Sequence, residues 1–184
     1  MAEYGFTLLE TAIGPCGIAW DDEARIVGST LPESDAARTR ARMQRRVPEA
    51  RETSPPAAVQ ETIDAIVALL RGEARDLSAV PLDLARVPAF NRRVYEIART
   101  IPPGETLTYG EIATRLGDPL AARDVGQALG ENPFPIVVPC HRVRAAGGKT
   151  GGFSAPGGVA TKLRMLAIER VHANGALPLG DGAY

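Results

Sequence analysis

The chain has 184 residues, 45% of them hydrophobic, and a formal net charge of −1. That is enough apolar material for a buried core in one domain or two small ones. No run of about 18 apolar residues is present, so a membrane helix is not expected. The start, MAEYGFTLLETAIG, has neither a basic opening nor a long apolar stretch, so no secretory signal is read there. The cytoplasm is the predicted compartment, where thiols stay reduced, and a disulfide between Cys16 and Cys140 is not expected. Charge is uneven: residues 1–85 carry 9 basic and 14 acidic side chains, residues 86–184 carry 12 basic and 8 acidic. A basic second half tolerates a polyanion without demanding one.

In chain order, FTLLETAIG and GIAW flank Gly14-Pro15, and RIVGSTL follows the turn-like Asp21-Asp22-Glu23. These short apolar segments read as antiparallel strands. Ser34 is placed to cap a charged helix over 35–46. From Ala57 to Arg71, the spacing of Val59, Ile63, Ile66, Val67 and Leu70 predicts a helix with one apolar face. RDLSAVPLDLARVP then reads as a linker. Pro88 opens a helix that buries Phe90, Val94 and Ile97, and IPPGE ends it. The fold class is α+β: an N-terminal antiparallel sheet with helices over 1–84, its linker starting near 72, then a mostly helical C-terminal domain over 85–175. Residues 176–184 read as a tail.

Residues 108–130 carry the clearest local signals. TYGE is a capping box: Thr108 accepts from an early backbone N–H and Glu111 reaches back. Gly117 suits a left-handed stop, Asp118 a cap and Pro119 the first position of the next helix. That helix turns Ala122, Val125 and Leu129 inward and ends at Gly130. Two short helices joined by a tight turn resemble a helix-turn-helix. On AARDVGQALG, small residues surround Arg123. They permit either close approach to a narrow groove or close packing on a neighbouring helix.

In NPFPIVVPCHRV, Cys140 and His141 stand side by side after three prolines, Pro133, Pro135 and Pro139. A free thiol has a pKa of about 8.5, so only about 3% is thiolate at neutral pH, and a nucleophile needs a base. In an extended segment neighbours point to opposite faces, so His141 would serve Cys140 through a water. Such a base needs an orienting group, and Glu169, near the end of a predicted helix over 157–171, is the acidic candidate. The alternative, a buried small hydrophobe beside a structural histidine, stays open on these residues alone.

PCHRV preceded by ENPFPIVV closely resembles the active-site signature of the O6-alkylguanine-DNA alkyltransferases, the methylated-DNA–protein-cysteine methyltransferases. FNRRVYEIARTIPPGETLTYGEIATRLG, AARDVGQALGENP and GGKTGGFSAPGGVATKLRMLAIE extend the match over about residues 88–171, in order. TAIGPCGIAWDDEARIVGSTLPE is more loosely similar. The resemblance implies a DNA repair protein that moves the alkyl group from O6-alkylguanine irreversibly to its own Cys140, one molecule per lesion. His141 would act through a water as the base, Glu169 would orient it, and Asn132 would shape the turn. Tyr109 would hold and polarise the flipped base, and Arg123 would fill its place in the stack. Ala122 and Gly126 would let the recognition helix approach the minor groove. Val143 would offer a carbonyl to the guanine amine, Ser154 would help form the pocket, and Lys162 would support the site.

The implied partner is double-stranded DNA bound through its minor groove, with a monomer acting and no cofactor. Cys16 has no motif support and reads as structural. His141 and His172 are the only histidines, so a Cys/His zinc set cannot be assembled without the catalytic residues, and no metal is expected. Phe153 stands where the family commonly has Tyr, and SAPGG lengthens the pocket loop by two residues. The competing readings are a helix-turn-helix regulator without alkyl transfer and a small-molecule cysteine hydrolase.

Overall fold

The computed structural model describes residues 3–174, with side chains described as far as Arg170. The predicted tail, 176–184, lies outside the described residues. Strands β1 (Tyr4–Thr11), β2 (Gly14–Trp20) and β3 (Ile26–Thr30) form the antiparallel meander read from the sequence. A fourth strand, β4 (Ala50–Glu52), adds parallel to β1, giving the order β3-β2-β1-β4. Three residues are too few to show alternation, so periodicity did not reveal it.

Helix α1 (Ala36–Arg46) lies on one face of this sheet. Its cap is Asp35 rather than Ser34: the Asp35 carboxylate accepts from Arg38 N–H at 2.8 Å, while the Ser34 hydroxyl accepts from the Arg38 side chain. Alternation along β2 serves both faces. Gly17 and Ala19 lie towards α1, where a side chain at Gly17 would collide with Met43. Cys16, Ile18 and Trp20 point the other way into the main core. Helix α2 (Ala57–Leu70) closes that side with Val59, Ile63, Ile66 and Leu70 buried as its spacing predicted, while Val67 is only half-buried and Leu69 is buried in addition.

The expected linker is firmly held. Ile26 N–H donates to the Pro81 carbonyl at 2.8 Å and Asp83 N–H to the Ile26 carbonyl at 2.9 Å, so the segment pairs with the edge of β3. From the other side, Arg99 donates to the carbonyls of Leu77 and Val80. Helix α3 (Ala89–Ala98) starts at Pro88 as read, but its buried residues are Asn91, Val94, Tyr95 and Ala98. Phe90 and Ile97 are only half-buried. The deep stripe is rotated, and within it the Tyr95 hydroxyl donates to the Ala128 carbonyl at 2.7 Å.

Helices α4 (Tyr109–Arg115) and α5 (Ala122–Gly130) form the helix-turn-helix, and α6 (Gly158–Asn174) packs across α2. The capping box at Thr108 and Glu111 is complete, at 3.0 and 2.7 Å, and Gly117 takes the left-handed φ of +85°. Asp118 does not cap α5. Its carboxylate accepts from Leu120 N–H within the turn, and the helix begins after Ala121. One continuous apolar cluster runs from Leu9 and Ile18 through Val94 and Val125 to Met165, so the N-terminal sheet and α6 share a core.

Candidate active site

The segment before the thiol is a series of tight turns. Asn132 Nδ2 donates to the Val138 carbonyl at 3.0 Å and its Oδ1 accepts from Phe134 N–H at 2.9 Å, cross-bracing residues 132–138. Ile136 has φ +76°, a left-handed conformation that a β-branched residue rarely adopts. Pro139 (φ −79°, ψ 65°) forms an inverse γ-turn, with Cys140 N–H on the Val138 carbonyl at 2.8 Å. Cys140–Arg142 then make one turn of 3-10 helix, not the extended strand expected. Successive side chains there fan around an axis. Cys140 is left half-buried on a cavity, while His141 and Arg142 point into the protein.

His141 is fully buried, and its Nε2 lies 2.7 Å from Glu169 Oε1. Glu169 reaches it from α6, as the sequence suggested, and also accepts from Arg142 Nε at 3.0 Å and Nη2 at 2.8 Å. Arg142 Nη1 donates to the Ile101 carbonyl at 2.7 Å. Burial alone would raise the Glu169 carboxyl, but His141 and Arg142 outweigh it and hold it at about 2. Glu169 is therefore ionised, and it fixes the His141 proton on Nε2. Burial pushes His141 below the usual histidine range against the pull of Glu169, so the ring is neutral at pH 7. Its Nδ1 is buried and makes no hydrogen bond to protein, which leaves a lone pair available as a base.

Burial raises the Cys140 thiol above its ordinary value, opposed by Asn132 and by the charge of Lys162. A thiol in that state is protonated at neutral pH, so attack requires proton removal. Lys162 is fully buried, with Nζ on the Val143 carbonyl at 2.6 Å and 5.9 Å from the ring centres of both Tyr109 and Phe153. Burial lowers its pKa, opposed by Cys140. The Val143 carbonyl expected to meet the guanine amine thus already accepts one hydrogen bond, and a carbonyl has a second lone pair.

A two-stranded parallel pairing, β5 (Leu107–Thr108) with β6 (Val143–Arg144), brings the start of α4 beside the cysteine turn. Strands of two residues leave no sequence signal, yet this one sets Tyr109 on the cavity. Burial raises the Tyr109 hydroxyl, so it stays a proton donor. Gly151, at φ +77°, packs against it: a Cβ there would lie 2.7 Å from the Tyr109 oxygen.

The cavity has a volume of about 880 Å³. Ala122, Arg123 and Gly126 of α5 line it on one side and Ser154 on another, the Ser154 hydroxyl donating to the Gly130 carbonyl at 3.2 Å. Arg123 is exposed at the rim. All the predicted site residues therefore converge on the cavity or on the relay and lysine behind it. Sequence reasoning gave Arg142 no role, although it lies within PCHRV. It also missed Ser29 and Arg46, whose contacts with the turn span about a hundred residues of chain.

Cys16 is buried in the core against Thr11 and is a free thiol, pushed up to about 12 by burial. Among the described residues no group of three or more His, Cys, Asp or Glu is placed to hold a metal ion. No helix among them is long and apolar enough to cross a membrane.

Residues 89–171 match the family model of the 6-O-methylguanine DNA methyltransferase, DNA binding domain. A methylated-DNA–protein-cysteine methyltransferase of Mycolicibacterium paratuberculosis is 46% identical over 129 residues, 70% of this chain and 76% of that protein. One from Methanothermobacter thermautotrophicus is 40% identical over 124 residues, 67% and 68% of the two chains. The fold superposes on Mycobacterium tuberculosis OGT in complex with DNA with TM-score 0.72 at 35% identity, covering 90% of this chain and 92% of that one. It superposes on the O6-methylguanine-DNA methyltransferase of Pyrococcus kodakaraensis with TM-score 0.69 at 26% identity, covering 89% and 98%. A buried His–Glu–Arg network behind a cavity-facing cysteine, carried on a sequence this similar, leads to one conclusion: the chain belongs to the methylated-DNA–protein-cysteine methyltransferase family.

Proposed function

We propose that the protein repairs O6-alkylguanine in DNA by taking the alkyl group onto Cys140. The observation that carries this reading is the half-buried thiol on a cavity large enough for a flipped base, backed by the ionised Glu169 and neutral His141. The target carbon is buried in duplex DNA, and unstacking its base costs a few kcal/mol. Helix α5 enters the minor groove on its small residues Ala122 and Gly126, and Arg123 fills the gap left by the base. Residues 85–175 act as the DNA-binding and catalytic domain. Residues 1–84 form an N-terminal unit that shares one apolar core with it. The protein works as a monomer, because one chain supplies every group in this scheme.

In the cavity, Tyr109 and the backbone at Ser154 hold the guanine, and Val143 accepts from its amine. His141 Nδ1 takes the Cys140 proton through a water, and Glu169 stabilises the imidazolium that results. The thiolate attacks the alkyl carbon, forming the S–C bond as the C–O6 bond breaks. The electron pair leaves on guanine, and a proton from the site returns it to neutral guanine. Tyr109 and Lys162 stabilise the charge that develops in between. The product thioether has no route to hydrolysis here, so the protein is used once.

A regulator without alkyl transfer gives no reason for a buried relay behind Cys140, and a hydrolase gives none for Arg123 at the cavity rim. The test is a titration with a duplex carrying one O6-methylguanine. Repair is expected to stop at one lesion per protein. Continued turnover beyond that ratio would overturn the single-use reading.

A further inference from the structure

The cysteine turn is gripped from the far half of the chain. Prolines lack an N–H, but their carbonyls accept. The Pro133 carbonyl takes Ser29 N–H at 3.0 Å and Arg46 Nη1 at 3.1 Å. The Pro135 carbonyl takes the Ser29 hydroxyl at 2.9 Å. Arg46 Nη1 also donates to the carbonyl of Ser29 itself at 2.6 Å, closing the group. Ser29 sits near the end of β3, whose outer edge is paired by the 81–83 segment at its start and by the cysteine turn at its end. A sheet edge is a row of unmet donors and acceptors, and here it is satisfied by the segment that carries the nucleophile.

Beyond the grip the chain has little freedom. Val138 N–H bonds the Phe134 carbonyl at 2.8 Å, Cys140 N–H bonds the Val138 carbonyl, and Asn132 braces the interior. A displacement at Pro133 therefore passes to Cys140. We propose that Arg46 and Ser29 are positioning residues for alkyl transfer, fixing the aim of Cys140 into the base pocket by clamping the carbonyls of Pro133 and Pro135. This rests on Cys140 being the alkyl acceptor. The clamp rests on these bonds and not on acidity: Asn132 and Lys162 give the main opposition to burial at the Cys140 thiol, and Arg46, which lines the same cavity, adds a weaker charge coupling to it. A misplacement of about 1 Å can cost up to roughly 10²-fold in rate.

The test compares two reagents at Cys140. Transfer from free O6-benzylguanine needs the thiol aimed into the pocket, whereas iodoacetamide needs only a reachable thiolate. Arg46→Met is expected to slow benzyl transfer about tenfold while changing the iodoacetamide rate less than about twofold. Ser29→Ala, which removes no charge, should keep the wild-type pH midpoint. Arg46→Lys, which keeps a donor, should recover most of the rate, and Arg45→Met, an exposed neighbour on α1, should have no effect. Should Arg46→Met fail to fold, Ser29→Ala removes one of these bonds and is expected to slow benzyl transfer about threefold. Equal losses with both reagents, or a loss confined to duplex DNA, would overturn the clamp. So would variants that react with O6-benzylguanine as fast as the wild type. A wild-type protein whose Cys140 gains no methyl group from a duplex carrying O6-methylguanine would instead sink the acceptor reading on which the clamp rests.

Discussion

Glu169→Gln removes the charge at the centre of the buried network and keeps its shape. Wild-type Glu169 accepts from His141 Nε2 at 2.7 Å and from Arg142 at 2.8 and 3.0 Å, and its carboxyl is held at about 2. An unfolded glutamate titrates near 4.3, and each unit of difference is about 1.4 kcal/mol, so the ionised carboxyl contributes roughly 3 kcal/mol at pH 7. Because the folded pKa is the depressed one, that stability is complete above about pH 5 and drains away as pH falls through 4 towards 2. Urea unfolding should place the variant about 3 kcal/mol below wild type at pH 7. The gap should narrow by roughly 1 kcal/mol at pH 3.5, since the glutamine does not titrate. The alkylation rate at pH 7 should fall about 10²-fold with the tautomer of His141 no longer fixed. A stability gap that stays constant from pH 7 to pH 3.5 would refute the claim that Glu169 is ionised in the fold.

Three further substitutions separate the parts of the site. Arg123→Ala should weaken repair in duplex DNA at least about tenfold while leaving reaction with free O6-benzylguanine unchanged, as measured by second-order rates; equal losses would remove Arg123 from base flipping. Gly151→Ala forces a Cβ against the Tyr109 oxygen at a left-handed φ. It should cost about 1 kcal/mol or more by urea unfolding and weaken saturation by the free base more than the maximal rate. Cys16→Ala should lower stability by about 1 kcal/mol through lost packing and leave the alkylation rate intact, which denaturation and rate assays on one preparation would check.

The helical parts of this fold were legible because their signals are local. The Thr108–Glu111 box, Gly117 and the apolar spacing of α2 each lie within a few residues, and each appears where it was read. Asp118 misled because a carboxylate that caps a helix also serves a turn, and here Leu120 N–H claims it. The conformation at Cys140 was illegible for the opposite reason. Three prolines and a β-branched run suggest extension, but Asn132, the clamp at Ser29 and Arg46, and a left-handed Ile136 fold the segment into turns. Of these, Ser29 and Arg46 act from far away in sequence, where no local pattern reports them. The pairing of His141 with Glu169 was expected on two grounds: a base needs an orienting acid, and the family resemblance implies it. Arg142, the third member, escaped because its side chain had no assigned task until Glu169 was seen to have two oxygens to satisfy.

The central claim is that Cys140 itself ends up carrying the alkyl group. The direct measurement is the mass of the peptide containing Cys140 after incubation with a duplex bearing O6-methylguanine. It should gain one methyl group, stable to prolonged incubation, with Cys16 unmodified and no gain in Cys140→Ala. A folded protein whose Cys140 peptide keeps its mass while the lesion persists, or while the methyl group appears on another residue, would contradict it.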